Sequence, residues 1–264
     1  MTQAITLINR PKALWLVDAS IYIYRPWYTG DNTHVDDQGE SIHAYLGFTQ
    51  FVDQLLSNEQ PESIAFAFDA PQTNSWRRAL YPYYKHKRKA RPNNLNYQIN
   101  LCQHYINNLG IINESSDYYE ADDIIASWAN NSTEAIIVSA DKDLTQLIRP
   151  QDLWCDYDRN YQLNYYQIQQ KFGVQPEQIA DLLALAGDKA DNIPGITGVG
   201  IATAAKLLQR FGDIDNLLQS IEKIGKLKFR GAYWTQKAIE EEQDNLRLYR
   251  QLTGLACKAV SPLI

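Results

Sequence analysis

The sequence has few cysteines and no long apolar run, and both absences limit what it can encode. Its three cysteines, Cys102, Cys155 and Cys257, are far apart and form no CxxC pair. We therefore predict reduced, buried thiols and neither a disulfide framework nor a cysteine metal site. No stretch approaches the roughly 20 apolar residues that a membrane-spanning helix needs, and residues 1–12 lack the apolar core of a signal peptide. We expect a cytoplasmic protein without a membrane partner.

Acidic residues are missing from one long segment, residues 70–113, although the whole chain carries a net charge of −6. The cations of this segment are Arg77, Arg78, Lys85, Lys87, Arg88, Lys89 and Arg91. A block of one charge sign is typical of a phosphate-binding surface or of a solvated loop. Aromatic residues between the cations, such as Trp76 and Tyr84, can stack on bases. They favour a nucleic acid partner over the solvated loop.

Three apolar runs are each followed by carboxylates. Residues 12–20 (KALWLVDAS) and 63–69 (SIAFAFD) carry Asp18 and Asp69 at their ends, and Asp141 and Asp143 follow residues 135–138 (AIIV). Runs of this kind are typical of strands buried on both faces. A helical stretch at residues 42–56 separates the first two runs, which predicts a parallel βαβ unit with a right-handed crossover. Because parallel strands share one carboxyl edge, we expect these acids to line one crevice.

A second acidic cluster, formed by Glu120, Asp122 and Asp123, precedes apolar residues at helical spacing. The helix dipole stabilises one acid in a first turn. Three acids repel one another and raise each other's pKa values unless a cation neutralises them. Carboxylate oxygens suit Mg²⁺ or Mn²⁺. A solvated acidic helix start followed by an Asp-rich turn is the alternative, and this stretch alone does not decide between the two.

The region after residue 175 has the pattern of two helices around a glycine turn. Residues 176–186 begin with Pro at a first helical position and have an apolar face. The next segment carries Asp188 and Asp191, and then Gly198-Val199-Gly200. Glycine lets the backbone approach a ligand, and amides at the start of the following helix can hold a phosphate. The later lysines and arginines predict mostly a solvated face, with some of them extending the basic surface.

Taken in order, these motifs resemble the 5′ nucleases, which comprise the flap endonucleases and the 5′-to-3′ exonuclease domain of bacterial DNA polymerase I. The motifs are VDAS, FAFDA, YKHKR, EADD, SADKDL and GDKADNIPGITGVGIATAAKLL, within residues 16–208. The resemblance implies an α/β fold with a mostly parallel, PIN-like or Rossmann-like central sheet flanked by helices. It also implies a catalytic domain at 1–175 with a helical arch at about 72–110, and a helix-hairpin-helix subdomain at 176–264. No polymerase sequence follows, so we expect a stand-alone enzyme.

The resemblance also assigns site residues. The family's metal-binding acids fall on Asp18, Asp69, Glu120, Asp122, Asp123, Asp141, Asp143, Asp188 and Asp191. The first five are expected to form the tighter metal site and the last four the other site. Without these nine negative charges the net charge would change from −6 to +3. Catalysis is expected to depend on the first seven acids together with Lys85 and Arg88, which match the family's catalytic cations. DNA contacts are expected at Tyr24, Arg25, Arg77, Arg78, Tyr84, Lys85, Arg88, Gly198, Val199, Gly200, Ala202 and Lys206.

The implied activity is hydrolysis of DNA phosphodiesters with two Mg²⁺ ions, which Mn²⁺ can replace. The hairpin resembles potassium-binding examples, so K⁺ is expected there. The expected substrates are DNA with a 5′ flap, a 5′ overhang or a nick, as they arise during replication and repair. The protein is expected to be a monomer that works at the nucleoid, and the sequence leaves a polymerase partner open. Two alternatives are a catalytically inactive structure-specific DNA-binding protein and a PIN-like ribonuclease. The complete acid set disfavours the first, and the hairpin with the long basic segment disfavours the second.

Overall fold

The apolar runs predicted as strands lie at the centre of one sheet. The structure, a computed structural model, describes residues 8–30, 33–71 and 74–263. In this part of the chain the strands are β1 (Leu14–Asp18), β2 (Ser63–Asp69), β3 (Ile112–Ser116), β4 (Ala135–Val138), β5 (Leu153–Asp156) and β6 (Tyr161–Asn164). They lie in the order β3-β2-β1-β4-β5-β6. All neighbours are parallel except β5 and β6, which confirms the predicted α/β class.

Helices connect the strands and form a C-terminal group. The α-helices are α1 (Ala19–Thr29), α2 (His43–Glu59), α3 (Trp76–Leu80), α4 (Asn93–Asn108), α5 (Ala121–Asn130), α6 (Tyr165–Phe172), α7 (Ile179–Ala186), α8 (Ile201–Phe211), α9 (Ile214–Leu218) and α10 (Ala232–Thr253). Short 3-10 helices lie at Lys142–Leu147, Tyr157–Arg159, Pro176–Gln178 and Ile221–Lys226. Within the described residues, none of the helices is both long and apolar enough to cross a membrane.

Each face of the sheet is covered by helices because the strands are apolar on both sides. Trp15 and Val17 of β1 pack in one cluster with residues of α1, α2 and α4. Leu16 points to the other face, where it belongs to a cluster with residues of α5, α7, α8 and α10. The alternation follows from the two-residue period of a strand. The second cluster runs without a break from the sheet into the C-terminal helices.

Helix α4 belongs to the packed layer on the first face. Its residues Leu95, Ile99, Cys102 and Ile106 are buried there. The predicted arch at about 72–110 thus includes a helix that packs on the sheet, and its bounds stay a prediction. The division of the chain at residue 175 stays a prediction.

The strand order places a crevice at the carboxyl end of β1. From β1 the chain adds β2 and β3 on one side and then crosses to β4 on the other side of β1. Adjacent strands whose connections leave in opposite directions open a crevice beyond their carboxyl ends, where ligands bind in α/β sheets. Asp18 ends β1, and Ser139 follows β4. The fold therefore brings the predicted acids to the edge where ligands bind.

One prediction about the cysteines is wrong. Cys102 and Cys155 are buried as expected, but Cys257 is exposed. Cys257 lies in the turn region after α10, where the chain has left the packed helices. The general tendency of cysteine to be buried carries no information about such a segment.

Candidate active site

Asp18 lies at the centre of the crevice and is held from both sides. It is the N-cap of α1, and its Oδ1 accepts a hydrogen bond from the Ser20 amide at 3.1 Å. Its Oδ2 accepts from the Ser139 hydroxyl at 2.8 Å, across the gap between β1 and β4. Burial, together with the negative charges of Asp69 and Asp141, raises the pKa of Asp18 to about 7. The carboxylate is thus held in place by two hydrogen bonds, but among the described residues no nearby cation compensates its negative charge.

Asp69, at the end of β2, connects this crevice to the acidic start of α5. Its Oδ1 accepts from the Ala121 amide at 2.9 Å, and its Oδ2 accepts from the Ser20 hydroxyl at 2.9 Å. Ser20 therefore contacts both Asp18 and Asp69. Through these bonds, three distant parts of the sequence meet at one place.

The acids after β4 share this environment with Asp122. Asp141 caps the 3-10 helix Lys142–Leu147, and its Oδ1 accepts from the Asp143 amide at 2.9 Å. Burial, with the charges of Asp141 and Asp188, raises the pKa of Asp143 to about 8. Burial also raises the pKa of Asp122, assisted by the charges of Asp141 and Asp18. Asp122 and Asp143 also line one cavity with Asp188 and Asp191, so these carboxylates lie close together.

A tight loop between α7 and α8 brings Asp188 and Asp191 to the same place. A Cβ on Gly187, whose φ is 81°, would lie 2.4 Å from the Pro194 carbonyl oxygen, so only glycine fits there. Asp188 and Ile193 exchange two backbone hydrogen bonds of 2.8 Å, which close the loop. The Asp191 carbonyl accepts from the Lys85 amide at 3.0 Å. The loop therefore docks against the basic segment.

Three of the predicted metal ligands already have cationic partners, namely Glu120, Asp123 and Asp191. The Arg77 guanidinium donates to Asp123 at 2.7 and 2.8 Å and to Glu120 at 3.0 Å, and the Lys85 ammonium donates to Glu120 at 2.7 Å. Although burial alone would raise it, the Lys85 and Arg77 charges lower the pKa of Glu120 to about 2. The charges of Glu120 and Asp123 are thus compensated within the protein. These cations also hold the first turn of α5 in place.

Arg77 and Tyr84 do not occupy the positions expected of DNA contacts. Arg77 is 2% exposed and also donates to the carbonyls of Leu252 and Gly254 at 2.9 and 2.8 Å. Tyr84 is 1% exposed, and its hydroxyl lies 2.8 Å from both Glu120 Oε2 and Asp191 Oδ2. Neither side chain can reach a phosphate or a base in this arrangement. They connect the basic segment to the acids below it.

Lys85 and Arg88 both form ion pairs with acids of the site, and their catalytic role stays a prediction. Lys85 is buried, and its φ of 51° is uncommon for a residue other than glycine. Arg88 is half-exposed and donates to Asp191 Oδ1 at 2.8 Å. Local backbone strain is often found at functional sites, because the surrounding structure holds it in place. The left-handed backbone at Lys85 directs its amide and its ammonium to the same pit.

An open pocket beside Asp69 is lined by aromatic and cationic side chains. Its lining includes Tyr24, Asp69, Arg78, Arg88 and Arg91. A second pocket shares Tyr24, Arg88 and Arg91 with it and is also lined by Trp27 and the exposed Tyr28. Arg91 donates to the Asp69 carbonyl at 2.8 Å, and its guanidinium carbon lies 5.9 Å from the Tyr24 ring centroid. The predicted Tyr24 and Arg78 therefore line a pocket that reaches the site.

The sequence reasoning missed three residues that organise the site. Ser20 lies two residues after Asp18 and Ser139 lies two residues before Asp141, inside motifs that were recognised for their acids, so closeness to these acids in the sequence was the available signal. Arg91 lies in the basic segment, but its charge alone did not distinguish it from its neighbours. Arg25, predicted to contact DNA, pairs with Asp156 at 2.6 Å and with Asp158 at 3.2 Å, and it lies outside the carboxylate cluster.

The glycine turn lies at the start of α8 and is open to solvent. Gly198 has a φ of 78°, and a Cβ at Gly198 or Gly200 would meet no atom within 4 Å. Gly200 is the N-cap of α8 and provides no side-chain cap. Val199 is buried, whereas Ala202 and Lys206 are exposed. The start of α8 is thus uncrowded, which suits an anion at its first amides, and the phosphate contact stays a prediction.

The donor set fits a hard divalent cation. Among the described residues, no group of three His, Cys, Asp or Glu side chains is arranged to hold a metal ion as it stands. However, Asp143 Oδ1 is buried and has no hydrogen-bond partner in the described part of the chain, and burial raises the pKa of Asp18, Asp122 and Asp141. A cation among these oxygens would compensate their charge. The individual metal ligands stay predictions.

Comparisons with known proteins agree with the geometry. Residues 13–173 match the 5′-3′ exonuclease N-terminal resolvase-like domain, and residues 174–263 match the 5′-3′ exonuclease C-terminal SAM fold. A 5′-3′ exonuclease of Buchnera aphidicola is 37% identical over 229 residues, which are 85% of this chain and 79% of the relative. DNA polymerase I of Bacillus caldotenax is 36% identical over 94% of this chain, which spans 27% of the polymerase.

Solved structures show the same fold. A variant of the bacteriophage T5 D15 flap endonuclease, in a pseudo-enzyme-product complex with DNA and metal ions, superposes with a TM-score of 0.71. It is 16% identical, and the match covers 93% of this chain and 90% of that one. At this identity the likeness concerns the fold. Because the two family models together account for nearly all of the sequence, the chain belongs to the 5′-3′ exonuclease family.

Proposed function

We propose that the protein is a structure-specific 5′ nuclease, acting as a flap endonuclease and 5′-3′ exonuclease that hydrolyses DNA phosphodiesters during replication and repair. One observation carries this proposal. Four acids with raised pKa values, Asp18, Asp122, Asp141 and Asp143, gather at the sheet's switch point below a cationic segment. Such a concentration of uncompensated carboxylates favours divalent cations and, through them, phosphate chemistry.

The same four acids, with Asp188, are the best candidates to hold two Mg²⁺ or Mn²⁺ ions. Ions bound there would supply charge stabilisation and an activated water for an in-line displacement at phosphorus. Asp69 also positions α5, because its Oδ1 accepts a hydrogen bond from the Ala121 amide and its Oδ2 accepts one from the Ser20 hydroxyl. Glu120 and Asp123 hold Lys85 and Arg77 in place. This division differs from the one expected from the sequence, which put all five of the earlier acids into one metal site.

Lys85 and Arg88 are proposed to neutralise charge on the phosphoryl oxygens. Both now donate to carboxylates, Lys85 to Glu120 and Arg88 to Asp191. A phosphodiester entering the pit would offer oxygens to the same donors, because an ammonium carries three N–H groups and a guanidinium carries five. Donors fixed where negative charge develops lower the barrier to displacement.

The DNA is proposed to contact two surfaces. The pocket at Tyr24 can take the displaced 5′ end, since it combines aromatic faces with the guanidinium groups of Arg78, Arg88 and Arg91. The amides at the start of α8, with Lys206, can hold a phosphate of the duplex. A K⁺ ion at this turn, action as a monomer, location at the nucleoid and a polymerase partner stay predictions.

A cleavage assay tests the proposal. A 5′-flap DNA labelled at its 5′ end should be cut near the junction with Mg²⁺ but not with EDTA, and a matched RNA flap should be cut much more slowly. Asp143→Asn should abolish cleavage, whereas Asp244→Asn should not, because the Asp244 side chain is 96% exposed. Intact DNA after incubation with Mg²⁺ and with Mn²⁺, or equal activity of the two variants, would refute the proposal.

A further inference from the structure

Two large aromatic side chains are exposed side by side at the start of α10. Tyr233 is 57% exposed and Trp234 is 73% exposed. Their ring centroids lie 5.4 Å apart, with an interplanar angle of 75°. Two adjacent rings offer an apolar surface that is larger than that of a single exposed aromatic residue. Neither ring belongs to the core clusters or to the site described above.

Exposed cations precede this aromatic pair in the chain. They are Lys223, Lys226, Lys228 and Arg230, and residues 220–234 contain one acid, Glu222, for a formal charge of +3. Within the described residues, none of the four cations lies within 4.0 Å of a carboxylate oxygen. Their charges are therefore available to an external anion. We call these four cations with Tyr233 and Trp234 the aromatic–basic patch.

The two parts of the patch are held together. The Gly225 amide donates to the Gln236 side-chain oxygen at 2.9 Å. A Cβ on Gly225 would lie 3.7 Å from the Tyr233 Cα, so the 3-10 helix Ile221–Lys226 lies against the first turn of α10. The segment that carries Lys223 and Lys226 is therefore held against the turn of α10 that carries the two rings.

Helix α10 also fixes where the patch lies relative to the proposed DNA site. The carboxylate of Glu242, in the middle of α10, accepts from the Thr197 amide at 3.1 Å, next to the glycine turn. The end of α10 meets Arg77 beside the acids. The backbone of Glu242 is non-helical (φ −109°, ψ 16°) and kinks α10 at this residue. Along the half of α10 before the kink, with a rise of about 1.5 Å per residue, Trp234 lies about 12 Å from Glu242. The patch is therefore about 12 Å along α10 from the residue that contacts the segment before the glycine turn.

We propose that the aromatic–basic patch is a second binding site for single-stranded DNA. Cations that flank exposed rings are the arrangement with which proteins hold phosphates and stack unpaired bases. A duplex hides the faces of its bases, so the rings favour single strands. At about 3.4 Å per nucleotide along one strand of a duplex, the separation of about 12 Å between Glu242, beside the glycine turn, and Trp234 corresponds to about four nucleotides. The proposal rests on the proposed function, because it extends the DNA track of that site beyond the duplex.

Fluorescence anisotropy with labelled oligo-dT of 20 nucleotides tests the patch directly. The measurement is made in EDTA, so that binding is read without cleavage. Replacing both rings, Tyr233→Ala with Trp234→Ala, should weaken binding about tenfold or more, since a stacked base contributes about 1–3 kcal/mol. The matched control is Tyr166→Ala, because Tyr166 is a helical tyrosine that is 63% exposed. It should change the affinity less than twofold.

A second readout separates stacking from general charge. Titration with oligo-dT should quench the tryptophan fluorescence of the wild type more than that of Trp234→Phe, because a base stacked on the indole quenches it. Equal quenching, or an affinity of the double variant within twofold of the wild type, would overturn the proposal. A patch that served a protein partner would give that second result. If the wild type failed to cut flap DNA, the proposed function would be contradicted. The binding measurement does not depend on cleavage, so it would still show whether the patch binds single-stranded DNA.

Discussion

The charge of the acidic pit predicts that the metal-free protein loses stability as the pH rises. Asp18 has an ordinary pKa of 3.8, which the folded state raises to about 7. Below pH 3.8 both states hold the proton. Between pH 3.8 and 7 the folded state keeps a proton that the unfolded state has released, so the free energy of unfolding falls as the pH rises.

The magnitude follows from the width of this window. Each pH unit costs about 1.36 kcal/mol, so between pH 5 and pH 8 the contribution of Asp18 falls by about 3 kcal/mol. For a chain of this size, that corresponds to roughly 6 to 12 °C in Tm. Glu120, whose pKa is lowered to about 2, contributes stability that is lost only as the pH falls below its ordinary value of 4.5. It therefore leaves this pH window unaffected.

Asp18→Asn isolates the effect. The asparagine oxygen can still accept from the Ser20 amide, and its amino group can donate to the Ser139 hydroxyl, so the local bonds persist. In EDTA at pH 8 the variant should unfold at a higher temperature than the wild type, whereas at pH 5 the difference should shrink. Mg²⁺ should raise the Tm of the wild type at pH 8 more than that of the variant.

Differential scanning fluorimetry across pH 5 to 8, with and without Mg²⁺, measures these shifts. The control is Asp244→Asn at an exposed position, which should follow the wild type throughout. If the metal-free wild type were as stable at pH 8 as at pH 5, and Mg²⁺ left its Tm unchanged, the acids would not form a strained negative pit. The reasoning from burial to metal binding would then fail.

Three further predictions concern individual residues. Asp141→Asn should reduce single-turnover cleavage of a flap substrate by at least a hundredfold while DNA affinity by anisotropy changes less than threefold; an equal loss of both would contradict its proposed role. Arg77→Ala should lower the free energy of unfolding in urea by about 3 to 5 kcal/mol, because it leaves Asp123 buried without its partner; a change under 1 kcal/mol would place the ion pair outside the folded core. Lys206→Ala should reduce the slope of log affinity against log salt by about 1, whereas an unchanged slope would show that Lys206 does not contact a phosphate.

The sequence was most informative where a pattern has only one structural solution. The runs at 63–69 and 135–138 became β2 and β4 with the expected ends, because short apolar runs followed by an acid fit buried strands that deliver the acid to an edge. Strand β3 was missed. Its residues, INESS, are mostly polar and lie at an edge of the sheet, where pairing on one side suffices and no apolar signal is needed.

The site was predictable in its membership but not in its internal pairing. The order of the motifs indicated which acids would meet. Nothing in the sequence indicated that Arg77 would turn inward to Asp123, since an arginine in a basic block has the same appearance whether it faces DNA or a buried carboxylate. The partners of Arg77 lie 46 and 175 positions away, so only the folded chain reveals them. The pairing of Tyr84 with Glu120 has the same cause.

The central claim is tested most directly by crystallising the protein and locating its divalent ions. Anomalous diffraction from crystals soaked in Mn²⁺ should show peaks among the oxygens of Asp18, Asp122, Asp141, Asp143 and Asp188, and these peaks should vanish in Asp143→Asn. If Mn²⁺ were found elsewhere on the protein, with no peak among these carboxylates at saturating concentration, the pit would not be a metal site and the proposed chemistry would be wrong.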